Sequence, residues 1–143
     1  KDKSFKVEKS VKDLLVEEQN FGITNFKRYQ DFGKKVYEIR EKVIRNLSNL
    51  KKDNTIIGYG SPAKATTALN FFGITDEIKY IVEDNKLKHG KYIPGVKIPI
   101  KNKISVKEKN NIILVLAWNF YNEIKKNNKN LSNKFINIKD LEK

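Results

Sequence analysis

Apolar residues recur along this chain with two different periods, and the change from one to the other falls near residue 50. Before that point the spacing is helical. Val11, Leu14 and Leu15 mark a short helix over residues 11–18 that ends near Asn20 and Gly22. Phe26, Tyr29, Phe32, Val36, Ile39, Val43, Leu47 and Leu50 then fall three or four apart in an otherwise charged stretch, with Thr24 or Asn25 positioned to cap the helix. Such a narrow stripe packs one side of a helix on a neighbour. Coiled-coil pairing is the alternative, but Asn46, Ser48 and Asn49 crowd its last turn. We therefore expect residues 1–50 to form a helical lead-in packing on the domain that follows.

After a polar break over 51–54 the grammar changes to short β-branched runs alternating with helical stripes, the punctuation of an α/β domain. Strands are predicted over 55–58, 78–82, 96–100, 112–116 and 135–138, and helices over 62–72 and 120–126. The unbroken run Ile112-Ile113-Leu114-Val115-Leu116 is what a central parallel strand covered on both faces requires. The predicted fold class is α/β: a Rossmann-like, mostly parallel sheet flanked by helices, preceded by a long N-terminal helical segment. Residues 51–143 are expected to form a single globular unit.

The candidate chemistry centres on Ile57-Gly58-Tyr59-Gly60-Ser61-Pro62-Ala63-Lys64, which joins the first predicted strand directly to a predicted helix. Ser61 suits the N-cap, Pro62 the first helical position, and Gly73 the stop just after Phe72. Gly58 and Gly60 lack Cβ atoms, so the backbone can turn sharply and approach a ligand, while free amides at the helix start favour an anion. Lys64 near the third helical position opposes the helix dipole, a conflict of about 0.3 to 1 kcal/mol. A phosphate over the turn would resolve it. The alternative is a tight turn with no ligand, because the full G-x-G-x-x-G pattern is absent.

Two further segments belong to the same crevice if the sheet is doubly wound. Glu83-Asp84-Asn85 ends the second strand about 20 residues after Gly60, where a Rossmann unit places an acid that accepts a ribose hydroxyl; a solvated strand end is the other reading. The 112–116 strand would lie beside the 55–58 strand across the switch point, bringing in Trp118 and Asn119. Trp118 either stacks on a base or sugar or packs in the core, and Asn119 can both donate and accept. The loop over 86–95, with three lysines, the single His89, Tyr92 and two glycines, is able to close over an acidic ligand. His89 reads as a surface residue rather than a general base, because no partner carboxylate can be placed beside it.

Composition narrows the choice. The formal net charge is +13, but the lysines run from Lys1 to Lys143, and Arg occurs only at Arg28, Arg40 and Arg45. Dispersed lysines read as a solvated basic surface, so no specific nucleic-acid partner is expected. With no Cys and one His, disulfides, thiolate metal sites and Cys nucleophiles are excluded, and no metal site is expected. No apolar run approaches the roughly 20 residues of a membrane span, and no secretory segment is visible, which points to a soluble, cytoplasmic protein with no membrane partner. The chain opens at Lys1 and contains no Met, so we read it as a piece of something longer.

Several ordered blocks resemble the C-terminal domain of S-adenosylmethionine-dependent C-methyltransferases that act on nucleotide-activated deoxysugars. They are 58–64 (GYGSPAK), 69–74 (LNFFGI), 82–85 (VEDN), 88–95 (KHGKYIPG) with Ile98-Pro99-Ile100, and 116–120 (LAWNF). The helical region before Lys51 is similar to the family's lead-in. Members of that family have a Cys-rich zinc-binding N-terminal part and a central domain that binds the methyl donor. The resemblance implies methyl transfer to a carbanion-like carbon next to a keto group of the sugar. The family's proton-abstracting Tyr and His sit in a Tyr-x-Glu-His block that this sequence lacks, as it lacks the acidic Gly-rich donor loop. No catalytic residue is therefore carried over, and no cofactor is expected in this fragment. S-adenosylmethionine and zinc are implied for the full-length parent. The implied role is substrate binding, with Gly58, Tyr59, Gly60, Ser61 and Lys64 the matching positions and Asp84, Asn85, Trp118 and Asn119 added from the crevice argument. The implied partners are a nucleotide-activated sugar and the upstream S-adenosylmethionine-binding domain of the same parent chain. The competing reading is a free-standing nucleotide- or dinucleotide-binding Rossmann module.

Overall fold

The sheet that organises the chain is parallel throughout and central to a two-sided core. A computed structural model describes residues 6–104, 111–131 and 134–143. Its contacts divide the chain into two units, Lys1–Glu38 and Ile39–Lys143.

In the first unit, helix α1 (Lys9–Phe21) ends at Gly22, whose φ of 82° lets it close the last turn as the sequence predicts. Helix α2 (Phe26–Asp53) begins there and continues into the second unit. Of the two predicted caps it is Asn25 that serves, its Oδ1 accepting the Lys27 amide at 2.9 Å. The turn between the helices is closed by Arg28, stacked 3.9 Å over the Phe21 ring. No residue of α1 is buried, and Phe26, Tyr29 and Phe32 of α2 are exposed.

The second unit holds five strands, β1 (Thr55–Tyr59), β2 (Tyr80–Val82), β3 (Ile100–Lys101), β4 (Asn111–Val115) and β5 (Lys134–Asn137). Their order is β3-β2-β1-β4-β5 and every neighbouring pair is parallel. The sheet thus grows outward in both directions from β1, with β4 beside it as the doubly wound reading requires. Side chains alternate between the faces. Ile56, Ile81, Leu114 and Leu116 enter one cluster, together with Val43 and Leu47 from the end of α2 and Ala65 and Leu69 from α3 (Ala63–Phe72). Ile57, Tyr59, Tyr80, Val82, Ile113 and Val115 enter the other, with Ile124 from α4 (Tyr121–Asn127). Burial on both faces explains why the β4 run is continuously apolar. Among the described residues no helix is long and apolar enough to cross a membrane.

The last part of α2 belongs to this core. Val43 and Leu47 are 2% and 0% exposed, Arg40 Nε donates to the Phe71 carbonyl at 2.8 Å, and Asn46 Nδ2 donates to the Leu141 carbonyl at 2.9 Å. The polar residue that spoiled a coiled-coil seam therefore has a specific partner.

Three local readings need correction. Helix α3 begins at Ala63 with Pro62 as its cap residue, so Ser61 lies just outside the helix and its hydroxyl is used elsewhere. Small residues at Ala63 and Ala65 are expected from the sequence to let this helix lie close to the sheet; Ala63 is exposed, and it is Ala65 that is buried there. The third predicted strand, 96–100, is reduced to Ile100–Lys101 because Gly95 (φ 84°) and Lys97 (φ 58°) turn the backbone and the Ile93 amide bonds to the Ile98 carbonyl. The predicted stop of α3 is observed: Gly73, at φ 71°, sends its amide back to the Asn70 carbonyl at 3.1 Å.

Two substitutions test this account by urea denaturation followed by circular dichroism. Leu47→Ala is expected to destabilise the Ile39–Lys143 unit by about 2 to 5 kcal/mol, as a fully buried core truncation does. Gly60→Ala is expected to cost about 1 to 3 kcal/mol, since an added Cβ would stand 2.7 Å from the Ala117 Cβ at a φ of 84°.

Candidate functional site

The C-terminal ends of β1, β2 and β4 meet the start of α3 and the first turns of α4 around an open crevice of about 340 Å³. Its wall includes Tyr59, Gly60, Ser61 and Asp84 from the sequence-predicted set. It also includes Glu83, Lys88, Phe120, Glu123 and Asn127, which the sequence reading did not select. A crevice beyond the carboxyl ends of parallel strands, where the strand order reverses, is the usual ligand position of open α/β sheets.

Backbone bonds fix the floor. The Gly60 amide donates to the Val82 carbonyl at 2.8 Å, and the Leu116 amide donates to the Tyr59 carbonyl at 2.9 Å. The space that a side chain on Gly60 would need is filled by Ala117, and that of Gly58 by Ile81 and Leu116, with Ile81 Cγ1 only 2.7 Å from the ideal Cβ position. Both glycines thus serve close packing of strand on strand, which is a different reason from the ligand approach expected of them.

A phosphate over the turn is expected from the sequence; in the structure, the carboxylate of Glu83 takes the Ser61 donors. The Ser61 amide and hydroxyl both donate to Glu83 Oε2, at 2.8 and 2.5 Å, and the Asn85 amide donates to Oε1 at 3.1 Å. Lys88 Nζ lies 3.3 Å from Oε2 and donates to the Ser61 carbonyl at 2.8 Å. Glu83 is 12% exposed at its side chain. Burial on its own would push its pKa up, but the Ser61 and Asn85 donors and the Lys88 charge outweigh burial and hold it at about 2. The carboxylate is ionised and its donors are committed. Lys64, expected to meet a phosphate, instead sits 4.3 Å over the Trp118 ring.

Beside this knot the Tyr59 hydroxyl donates to Asp84 Oδ1 at 2.9 Å. Burial pushes the Tyr59 phenol up from its ordinary value; a bond from Asn128 pulls the other way and the Asp84 carboxylate adds to the rise, so the group is a neutral donor at pH 7. Asn85 caps the short turn Lys86–Lys88 by accepting the Leu87 amide at 3.0 Å and is not among the residues that line the crevice. Trp118 is partly buried against the α3 side of the core, and Asn119 is exposed; neither lines the crevice.

The 86–95 loop is pinned to the domain. His89 Nε2 is 2.6 Å from the Glu83 carbonyl, so that nitrogen carries the proton and donates, and the ring is half-buried where a surface position was expected. The Gly90 amide donates to the Ile100 carbonyl at 3.0 Å, the Ile100 amide donates to the Lys91 carbonyl at 2.8 Å, and Asn70 Nδ2 donates to the Pro94 carbonyl at 2.9 Å. Ile93 and Ile98 are buried beneath it.

Glu83 was missed because a strand-end acid is read from its neighbours in sequence, whereas its role depends on register. Tyr59 pairs with Val82, which sets Glu83 across from the Gly60-Ser61 turn. Lowering its pKa in the folded state below the ordinary 4.5 means that it contributes stability above about pH 4.5 and loses it as pH falls towards about 2. The stability gap between the wild type and Glu83→Gln is therefore expected to shrink by about 3 kcal/mol at most as acid is added through this window, measured by urea unfolding at each pH.

The chain matches the family described as the C-methyltransferase C-terminal domain across residues 1–137. It is similar to the C-methyltransferase NovU of Streptomyces niveus, with 31% identity over 126 residues. That alignment covers 86% of this chain and 30% of the relative, so the chain spans under a third of that protein's length. Four of the resembling sequence blocks, 58–64, 82–85, 88–95 and 116–120, contribute residues to the crevice wall or to the loop pinned beside it. On this match the chain belongs to the family of C-methyltransferase C-terminal domains.

Proposed function

We propose that this domain is the nucleotide-sugar-binding part of a cytoplasmic, S-adenosylmethionine-dependent sugar C-methyltransferase, not catalytic alone, and that its Rossmann-like crevice contributes one wall of the substrate cleft. The observation that carries this reading is the crevice itself. It sits at the reversal of strand order and is lined by groups suited to sugar hydroxyls: the Asp84 and Glu123 carboxylates, the Asn127 amide and the Ser61-Pro62 backbone. Phe120 adds an apolar surface on which a ring can lie.

The methyl donor and zinc belong to other parts of the proposed parent. The chain has no Cys and one His, and among the described residues no cluster of His, Asp and Glu could hold a metal ion. S-adenosylmethionine brings an electrophilic methyl group, and no residue of this chain is assigned a step in its transfer. What the domain contributes is binding and orientation of the acceptor, with the donor-binding domain of the same parent as its partner.

Nuclear magnetic resonance shift mapping with dTDP, GDP, NAD and S-adenosylmethionine, joined by a dTDP-sugar, tests the assignment. Selective shifts at Tyr59, Gly60, Ser61 and Asp84 with the sugar-carrying nucleotide are expected. Asp84→Ala is expected to weaken that binding about ten-fold, the loss of one charge-assisted hydrogen bond. Selective retention of NAD would support a free-standing dinucleotide module instead, and shifts from the methyl donor alone would overturn the substrate role.

A further inference from the structure

The turn before α3 has the makings of an anion site, and the molecule fills it from within. Ser61 directs both its amide and its hydroxyl at a single oxygen, Glu83 Oε2. Among the described residues the one ammonium in the crevice wall, Lys88, is shared between that oxygen and the Ser61 carbonyl. The Asn85 amide anchors the other oxygen, so the carboxylate is held at both ends. Lys64, the next cation along, is stacked on Trp118. Around this knot the charged groups that line the crevice among the described residues are three carboxylates, Glu83, Asp84 and Glu123, against Lys88. The local balance is acidic in a chain whose formal net charge is +13.

We infer that Glu83 sets the specificity of the crevice: its carboxylate stands where a phosphate would bind and restricts the crevice to an uncharged, hydroxyl-bearing group, a sugar or ribose ring. A phosphate approaching the Ser61 amide meets a like charge within hydrogen-bond distance of the same donors, in a partly desolvated site where Coulomb repulsion is strong. Displacing Glu83 does not help, because it would strip a largely buried carboxylate of its donors. Sugar hydroxyls meet no such penalty, since a neutral hydroxyl donates to a carboxylate without like-charge repulsion. The phosphates of a nucleotide sugar then lie outside the turn, with the neutral ring inside the crevice.

This inference rests on the crevice as the ligand site proposed above, yet its test needs no nucleotide sugar. Inorganic phosphate is titrated at constant ionic strength into the wild-type chain, Glu83→Ala, Glu83→Gln and Asp84→Asn, and amide shifts are read at Gly60, Ser61, Ala63 and Lys64. These positions separate the turn from diffuse binding to surface lysines. The wild type and Asp84→Asn are expected to show no saturable shifts there, while Glu83→Ala gains them, with phosphate affinity at the turn raised at least about ten-fold. If Glu83→Ala does not fold, Glu83→Gln, which keeps the shape without the charge, is expected to show the same gain. Saturable wild-type binding of phosphate at Ser61, or no gain in any folded Glu83 variant, overturns the inference. Failure of the dTDP-sugar to shift the crevice, with the phosphate gain still present in the Glu83 variants, would overturn the substrate reading alone.

Discussion

Three strand ends converge on one residue without a side chain, and the rest of the site depends on that approach. Gly60 sits at a positive φ with its amide on the Val82 carbonyl and its missing Cβ position occupied by Ala117. Any larger residue would push the end of β4 away from β1. That displacement would carry off the segment leading into α4, which supplies Glu123 and Asn127 to the crevice. Packing and site geometry are one constraint here, because the same close contact that seals the top of the sheet sets the distance between the two crevice walls.

The second layer is electrostatic and follows from register. Once Tyr59 is paired with Val82, the next residue of each strand continues past the sheet, and Glu83 comes opposite Ser61. A carboxylate placed there meets the start of α3, with its dipole and its unsatisfied amides. The Ser61 donors just before the helix are thereby satisfied internally, and Lys88 and the His89-bearing loop are drawn in around the same acid. One side chain thus links the β1–α3 turn, the end of β2 and the 86–95 loop. That linkage explains why this loop is a fixed wall, where its composition suggested a cover.

Much of the fold was legible because it rests on periodicity. The two helical stripes, the alternation of short apolar runs and the continuous run of β4 each report burial on one face or both, and burial decides secondary structure in a parallel sheet. What escaped was decided by neighbours distant in sequence. The 96–100 strand shrank because Gly95 and Lys97 take left-handed conformations that packing against α3 stabilises, with Asn70 reaching Pro94. Ser61 fits an N-cap by type, yet the helix starts two residues later because the hydroxyl has a stronger acceptor in Glu83. The candidate site was legible as a location and less so as a list. Trp118 and Lys64 found each other instead of a ligand, a pairing that strand order and helix orientation decide jointly.

A glycine-rich strand-to-helix turn advertises donors, and sequence alone cannot say who accepts from them. The usual inference runs from free amides to an external anion. It fails wherever the chain carries its own acceptor within reach, and the parallel pairing of β1 with β2 is what brings such an acceptor here. An acid directly after β2 is therefore ambiguous in sequence: turned outward it meets a ribose, turned inward it replaces the phosphate. In this chain two acids stand side by side, Glu83 facing the turn and Asp84 accepting from the Tyr59 hydroxyl at the crevice edge. Their environments differ: Glu83 is largely buried among the donors of the turn, while Asp84 is exposed.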